Sequence, residues 1–276
     1  MIDGNYEKLV SLFRKYGNEG WYAAFYANDY PVPYKNLVLY PVEVSLYYVF
    51  HLFVECLLLP QMTSGDINAI SKTYFEYLVY LADEKKELYH LQEMFELLSI
   101  VLHKPLKDEE GNDVISVIRE DGKPLLKIEN SVYDSVDFDV LRKIICEQNA
   151  IELPDEDTHP DILAAIKEVE EYKRKQAKVK VCSFEDQINV VVAKSSYRRD
   201  ECIKMTIRSF SRLLERVDKI MHYEIMTLLS PNLTEEGKNS IEHYLAADKT
   251  REEKYHSAMV QQEQINNKIN SIQGSR

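Results

Sequence analysis

The residues equipped to do chemistry are scattered along this 276-residue chain rather than gathered. Seven histidines (His51, His90, His103, His159, His222, His243, His256) never fall as a close pair. His51 and Glu55, at i and i+4, share one side of a helix and could jointly hold a metal, but a tetrahedral site needs further ligands that no nearby motif supplies. Asp155-Glu156-Asp157 lacks the spaced oxygen ligands and the glycine of a dedicated calcium loop, so it reads as a solvated turn. The chain has no Gly-rich phosphate loop, no GxSxG elbow and no HExxH. Any Ser-His-Asp triad drawn from it is arbitrary. The expectation is a noncatalytic protein with no metal and no cofactor. The four cysteines, Cys56, Cys146, Cys182 and Cys202, form no CxxC pair and read as free thiols in a reducing setting.

Basic residues offer a second kind of chemistry. Lys173, Arg174, Lys175, Lys178 and Lys180 form a run, and Arg208, Arg212 and Arg216 recur at four-residue spacing on one helix face. Arginines so placed could grip phosphates or acidic partner helices. Glu201, Glu215, Asp218 and Glu224 lie close by, and the net charge of −12 opposes general polyanion binding. The plain reading is a solvated face with i,i+4 pairing. A protein partner is the functional reading, with nucleic acid as the alternative.

These arginines sit on the longest predicted element, a helix opened by Thr206 as N-cap and stopped near Pro231. Ile207, Phe210, Leu214, Val217, Met221 and Leu228 fall on one side of it in steps of three, four and seven, with Ile225 beside them. The rest of the chain reads as mainly α, a multi-helix bundle with one small β-hairpin insertion. Predicted helices cover Asn5 to Tyr16, Pro41 to Leu59, Ser64 or Asp66 to Ala82, and Glu84 to Leu102. Between the first two lies an aromatic, proline-punctuated loop with a strand at Leu37 to Tyr40. Asp121-Gly122, between the β-rich runs Val114–Arg119 and Pro124–Glu129, marks a hairpin over 114–129. Further helices are expected at Asp137–Asn149, from Pro160 or Asp161 to Lys178, Phe184–Ala193, Arg199–Met205 and Thr234–Ala246.

Three regions follow from these shifts of character. Residues 1–130 form a Tyr-rich helical region that carries the hairpin, and 131–247 a C-terminal helical domain. Residues 248–276 form a polar tail helix whose sparse stripe, Tyr255, Met259, Ile265, Ile269 and Ile272, has little to bury alone and calls for another chain or for docking on the body; the Gln/Asn-rich flanks favour another chain. The abundance of Tyr, 19 copies, suits half-buried surfaces and interfaces. Residues 1–7 hold neither a basic nor an apolar leader, so no secretory signal is expected. The apolar run Val42–Leu59 carries Glu43, His51 and Glu55 and is short for a membrane span.

Phe138-Asp139-Val140-Leu141-Arg142-Lys143-Ile144-Ile145 with Asn149, Ser183–Ile188, Met205–Phe210, Leu213–Val217 and His222–Ile225 follow one another in an order that resembles uncharacterised proteins encoded in the tail-morphogenesis regions of phages of Gram-positive bacteria. The resemblance covers roughly Asp137 to Tyr244, with a weaker match over Pro41 to Leu58. It rests on helix faces and carries no catalytic residues. It implies a tail-assembly chaperone or minor tail component acting in the host cytoplasm, with a possible place in the virion. Tape-measure, tube or baseplate proteins and a second copy of the chain are the implied partners. No membrane is implied. The alternative is a nucleic-acid-associated phage or host-takeover protein using the arginine face.

Overall fold

A computed structural model describes residues 4–17, 19–61, 66–154, 166, 168–169, 171–172, 182–234, 241 and 243–246. The fold is mainly α, with two small antiparallel sheets. The chain divides into two compact units. The first combines Met1–Pro154 with Ser196–Leu213, and the second Asp155–Ser195 with Leu214–Arg276. The change of character after Asn130 therefore falls inside the first unit.

In the first unit, helix α1 (Gly4–Tyr16) and the short α2 (Tyr22–Ala27) precede strands β1 (Val32–Tyr34) and β2 (Leu37–Leu39). The stretch expected to be a loop with one strand thus holds a helix and a complete hairpin. Buried amides explain its order. Gln148 Nε2 donates to the carbonyls of Tyr30 and Leu39, and Asn149 Oδ1 accepts from Val42 N at 2.9 Å. Lys35 takes a positive φ at the turn, and its ammonium meets Asp137, which also accepts from the Tyr34 hydroxyl at 2.6 Å.

The helix expected from Pro41 to Leu59 is shorter, α3 (Tyr47–Val54), flanked by single 3₁₀ turns at Val44–Leu46 and Glu55–Leu57. Glu43 is extended instead, in an antiparallel bridge with Thr206. Ile207 N donates to Val42 O and Val44 N to Met205 O, both at 2.8 Å. The next expected helix is two, α4 (Ile67–Ile70) and α5 (Tyr74–Asp83). The break is a capping box in which Thr73 Oγ1 accepts from Glu76 N while the Glu76 carboxylate accepts from Thr73 N. Helix α6 (Tyr89–Leu102) starts later than expected and packs on α3, α5, β2 and the next strand, β3 (Ile115–Glu120).

The Asp121-Gly122 hairpin forms as predicted between β3 (Ile115–Glu120) and β4 (Lys123–Ile128), with both turn residues at positive φ. A third strand, β5 (Ser131–Tyr133), pairs with Leu126–Ile128 and leaves Pro124 outside its reach. Helix α7 (Ser135–Gln148), capped by Asp134, packs on α5 and β4, and Phe138 meets Phe75 with ring centroids 4.8 Å apart.

Helix α8 (Phe184–Lys194), capped by Ser183, belongs to the second unit and buries Ile188 and Val191. Helix α9 (Arg199–Lys204) lies in the first unit. Helix α10 (Ile207–Leu229) begins with Thr206 Oγ1 accepting from Ser209 N, the predicted cap, and ends at a 3₁₀ turn containing Pro231. Its predicted stripe is buried at Ile207, Phe210 and Val217 and half-buried at Leu214 and Met221. Ile225 and Leu228 are 52% and 79% exposed. Most of the helix expected at Thr234–Ala246 (235–240 and 242), like most of the one expected from Pro160 or Asp161 to Lys178, lies outside the described residues, and His243–Ala246 form a turn.

Candidate functional site

Helix α3 has the sequence Tyr47-Tyr48-Val49-Phe50-His51-Leu52-Phe53-Val54, apolar nearly all round. A helix of that kind is normally enclosed on every side. Here Phe50 and Val54, four residues apart, point inward with no exposure. Tyr48 (69%), Leu52 (62%), Val49 (43%) and the preceding Leu46 (42%) are open to solvent. They form an uncharged surface about two turns long, the kind of patch that marks a protein contact.

The far end of this helix is anchored from beneath. Arg142, 7% exposed, donates from Nε to Leu57 O at 2.8 Å and lies 3.4 Å over the Tyr74 ring. The Tyr74 hydroxyl donates to Cys56 O and accepts from Leu59 N, both at 2.9 Å. A cation and a hydroxyl thus satisfy carbonyls at the C-terminal end of a helical stretch, where the backbone dipole favours positive charge. Leu46, at the other end of α3, provides no side-chain cap.

His51 does not join Glu55 in a ligand set. Its ring lies against Tyr47 with centroids 4.2 Å apart and planes tilted by 47°, and burial lowers its pKa while Glu55 pulls the other way. Glu55 lies past the end of α3 and is exposed. Among the described residues, no group of three or more His, Cys, Asp or Glu could hold a metal ion. Cys56, Cys146 and Cys202 are buried free thiols and Cys182 is exposed. Burial pushes the Cys146 thiol up to about 12 and the Cys56 thiol higher, so neither supplies a thiolate near neutrality.

The arginine face is only partly free. Arg208 donates from Nη1 to Glu147 O and lies 5.4 Å from the Tyr26 ring. Arg216, in the second unit, donates from Nη1 to Tyr244 O at 2.8 Å. Arg212 is exposed. Two of the three guanidinium groups are thus engaged by backbone carbonyls of their own unit. The tail stripe (Tyr255, Met259, Ile265, Ile269, Ile272), the acidic turn Asp155–Asp157 and the Lys173–Lys180 run lie outside the described residues.

A second feature of the first unit has no sequence signature. Asp29, at positive φ, accepts from the Thr206 hydroxyl at 2.7 Å and the Ser209 hydroxyl at 2.6 Å. It lines an open cleft of about 570 Å³ together with residues of α9 and the start of α10. The α3 face, by contrast, had a signal, since nothing charged stands between Ser45 and Glu55 except the titratable His51.

Residues 173–247 match a family model described as the YomV second domain. The match covers less than half of the chain and includes α8, α9 and α10 with Arg208, Arg212 and Arg216. YomV is a phage-encoded protein, and the match points to a phage protein without bearing on tail assembly. No curated protein and no solved structure matches the chain. Among the described residues, no helix is long and apolar enough to cross a membrane.

Proposed function

We propose that this chain is a noncatalytic phage tail-morphogenesis protein that binds other tail proteins, as an assembly chaperone or as a minor structural component. The observation that carries the reading is the outer face of α3, where Tyr48, Val49 and Leu52 stand exposed on a helix with no polar side. Such a face suits an amphipathic helix of a tape-measure, tube or baseplate protein, which would bury the same kind of surface against it. The YomV second-domain match supports the phage setting, and the tail-region resemblance supports the choice of partner. The engagement of Arg208 and Arg216 by carbonyls weighs against the nucleic-acid alternative.

The test is affinity capture of the tagged chain from infected host cells, with bound proteins identified by mass spectrometry. Named tail proteins are expected with the wild type and are lost with the double variant Tyr48→Glu/Leu52→Glu. Capture of nucleic acid alone, or equal capture by the double variant, refutes the reading. Self-association belongs to the same reading and is assigned to the tail stripe. Deleting Asp248–Arg276 is expected to lower the oligomeric mass while changing stability by no more than about 1 kcal/mol. A monomeric full-length chain removes it.

A further inference from the structure

We infer that the cleft at Asp29 receives an arginine side chain of a partner protein. This rests on the protein-binding reading above and names the chemistry of a second contact. Asp29 is a half-buried carboxylate held in place by two neutral hydroxyls, Thr206 and Ser209, and among the described residues it makes no ion pair. Each carboxylate oxygen keeps acceptor capacity after taking one hydroxyl hydrogen, so the pair is pre-set for a two-pronged donor. Glu201 adds a second carboxylate to the lining.

The other lining residues select for the shape of the guest. Met205 and Leu213 are half-buried and apolar, and suit the methylene stem of a long side chain. Tyr197, 43% exposed, offers a ring on which a planar guanidinium can lie. Arginine fits this set better than lysine, because its fork can meet both Asp29 oxygens while its plane stacks on the ring. Lys204, exposed in the same lining, and Arg208, whose guanidinium feels the Asp29 charge, both oppose a cationic guest. The chain's charge of −12 draws basic partners toward it.

The probe is N-acetyl-arginine amide, titrated into the ¹⁵N-labelled full-length chain and followed by amide chemical shifts. Saturable shifts are expected at Asp29 and over Tyr197–Leu213, and none with N-acetyl-citrulline amide, which has nearly the same shape without the charge. Asp29→Asn should weaken binding by about tenfold. Because that change also touches the anchoring of α10, Lys204→Glu provides the opposite variant: among the described residues the Lys204 side chain makes no hydrogen bond, and the change should tighten binding by about two- to fivefold. Equal shifts with the citrulline amide, no saturation, or no gain with Lys204→Glu overturns the inference. Capture of tail proteins at wild-type level with no arginine-selective shifts refutes the cleft and leaves the α3 reading standing. Arginine-selective shifts with no tail protein captured support the cleft and remove the tail partner.

Discussion

Helices α3 and α5 are built from nearly the same kinds of residue and meet opposite fates. Over ten residues α5 buries Tyr74, Phe75, Tyr77, Leu78, Val79, Leu81 and Ala82, enclosed by α6, α7 and β4. Over eight residues α3 buries only Phe50 and Val54, with α6 on its inner side. The first is started by a reciprocal capping box, the second by an uncapped Leu46. Apolar composition therefore says that a helix has surface to cover, and the packing of its neighbours decides how much the unit covers itself. On α3 the uncovered remainder is the face to which the proposed partner is assigned.

The sharpest way to break this comparison is truncation. Phe75→Ala is expected to cost about 3–5 kcal/mol in chemical denaturation, since the ring is fully buried against Phe138. Leu52→Ala on α3 should change stability by no more than about 0.5 kcal/mol. Equal losses would mean that α3 is enclosed after all. A smaller effect is expected at the helix starts. Thr73→Ala removes the α5 cap and should cost about 1 kcal/mol, whereas Leu46→Ala removes no cap.

Titration separates the two helices along the pH axis. Asp66, bonded to Tyr80 of α5 and then to Lys85, has its pKa lowered from 3.8 to about 2. A depressed folded-state value means stability that is present above the ordinary carboxylate pKa and lost as pH falls from about 4 toward 2. His51 of α3 is a base lowered from 6.5, chiefly by burial. Its neutral form is the one the fold accommodates, so its contribution is present above the ordinary value of 6.5 and declines as pH drops below it. Denaturant midpoints measured against pH should lose the upper step in His51→Gln and the lower one in Asp66→Asn. If neither variant alters the profile, these two groups do not carry the dependence.

Local features were legible in the sequence. Asp121-Gly122 fixed its hairpin because two adjacent positive φ values are a property of the turn itself. Ser183 and Thr206 announced helix starts because a cap acts within three residues. The capping box that splits the helix expected from Ser64 or Asp66 to Ala82 is equally local, written in Thr73 and Glu76. What stayed illegible is long-range. Val42 and Glu43 look like part of a helix until Thr206 and Ile207 pair with them, and the β1–β2 hairpin owes its order to the Gln148 amide on α7. The candidate site divides the same way. The surplus apolar surface of α3 and the arginine spacing on α10 are visible in the chain. Which side of α3 faces out, and that Glu147 O and Tyr244 O hold two of the arginines, depend on residues far away.

The pairing of Val42–Val44 with Met205–Ile207 also sets a schedule. A ribosome making about 5–20 residues per second reaches Ile207 roughly 10–30 s after Val42. Throughout that interval Val42 O and Val44 N lack the backbone partners they have in the fold, and Asp29 waits for hydroxyls 177 and 180 residues downstream. A chain stopped short of residue 207 leaves those two backbone groups without their partners in the fold.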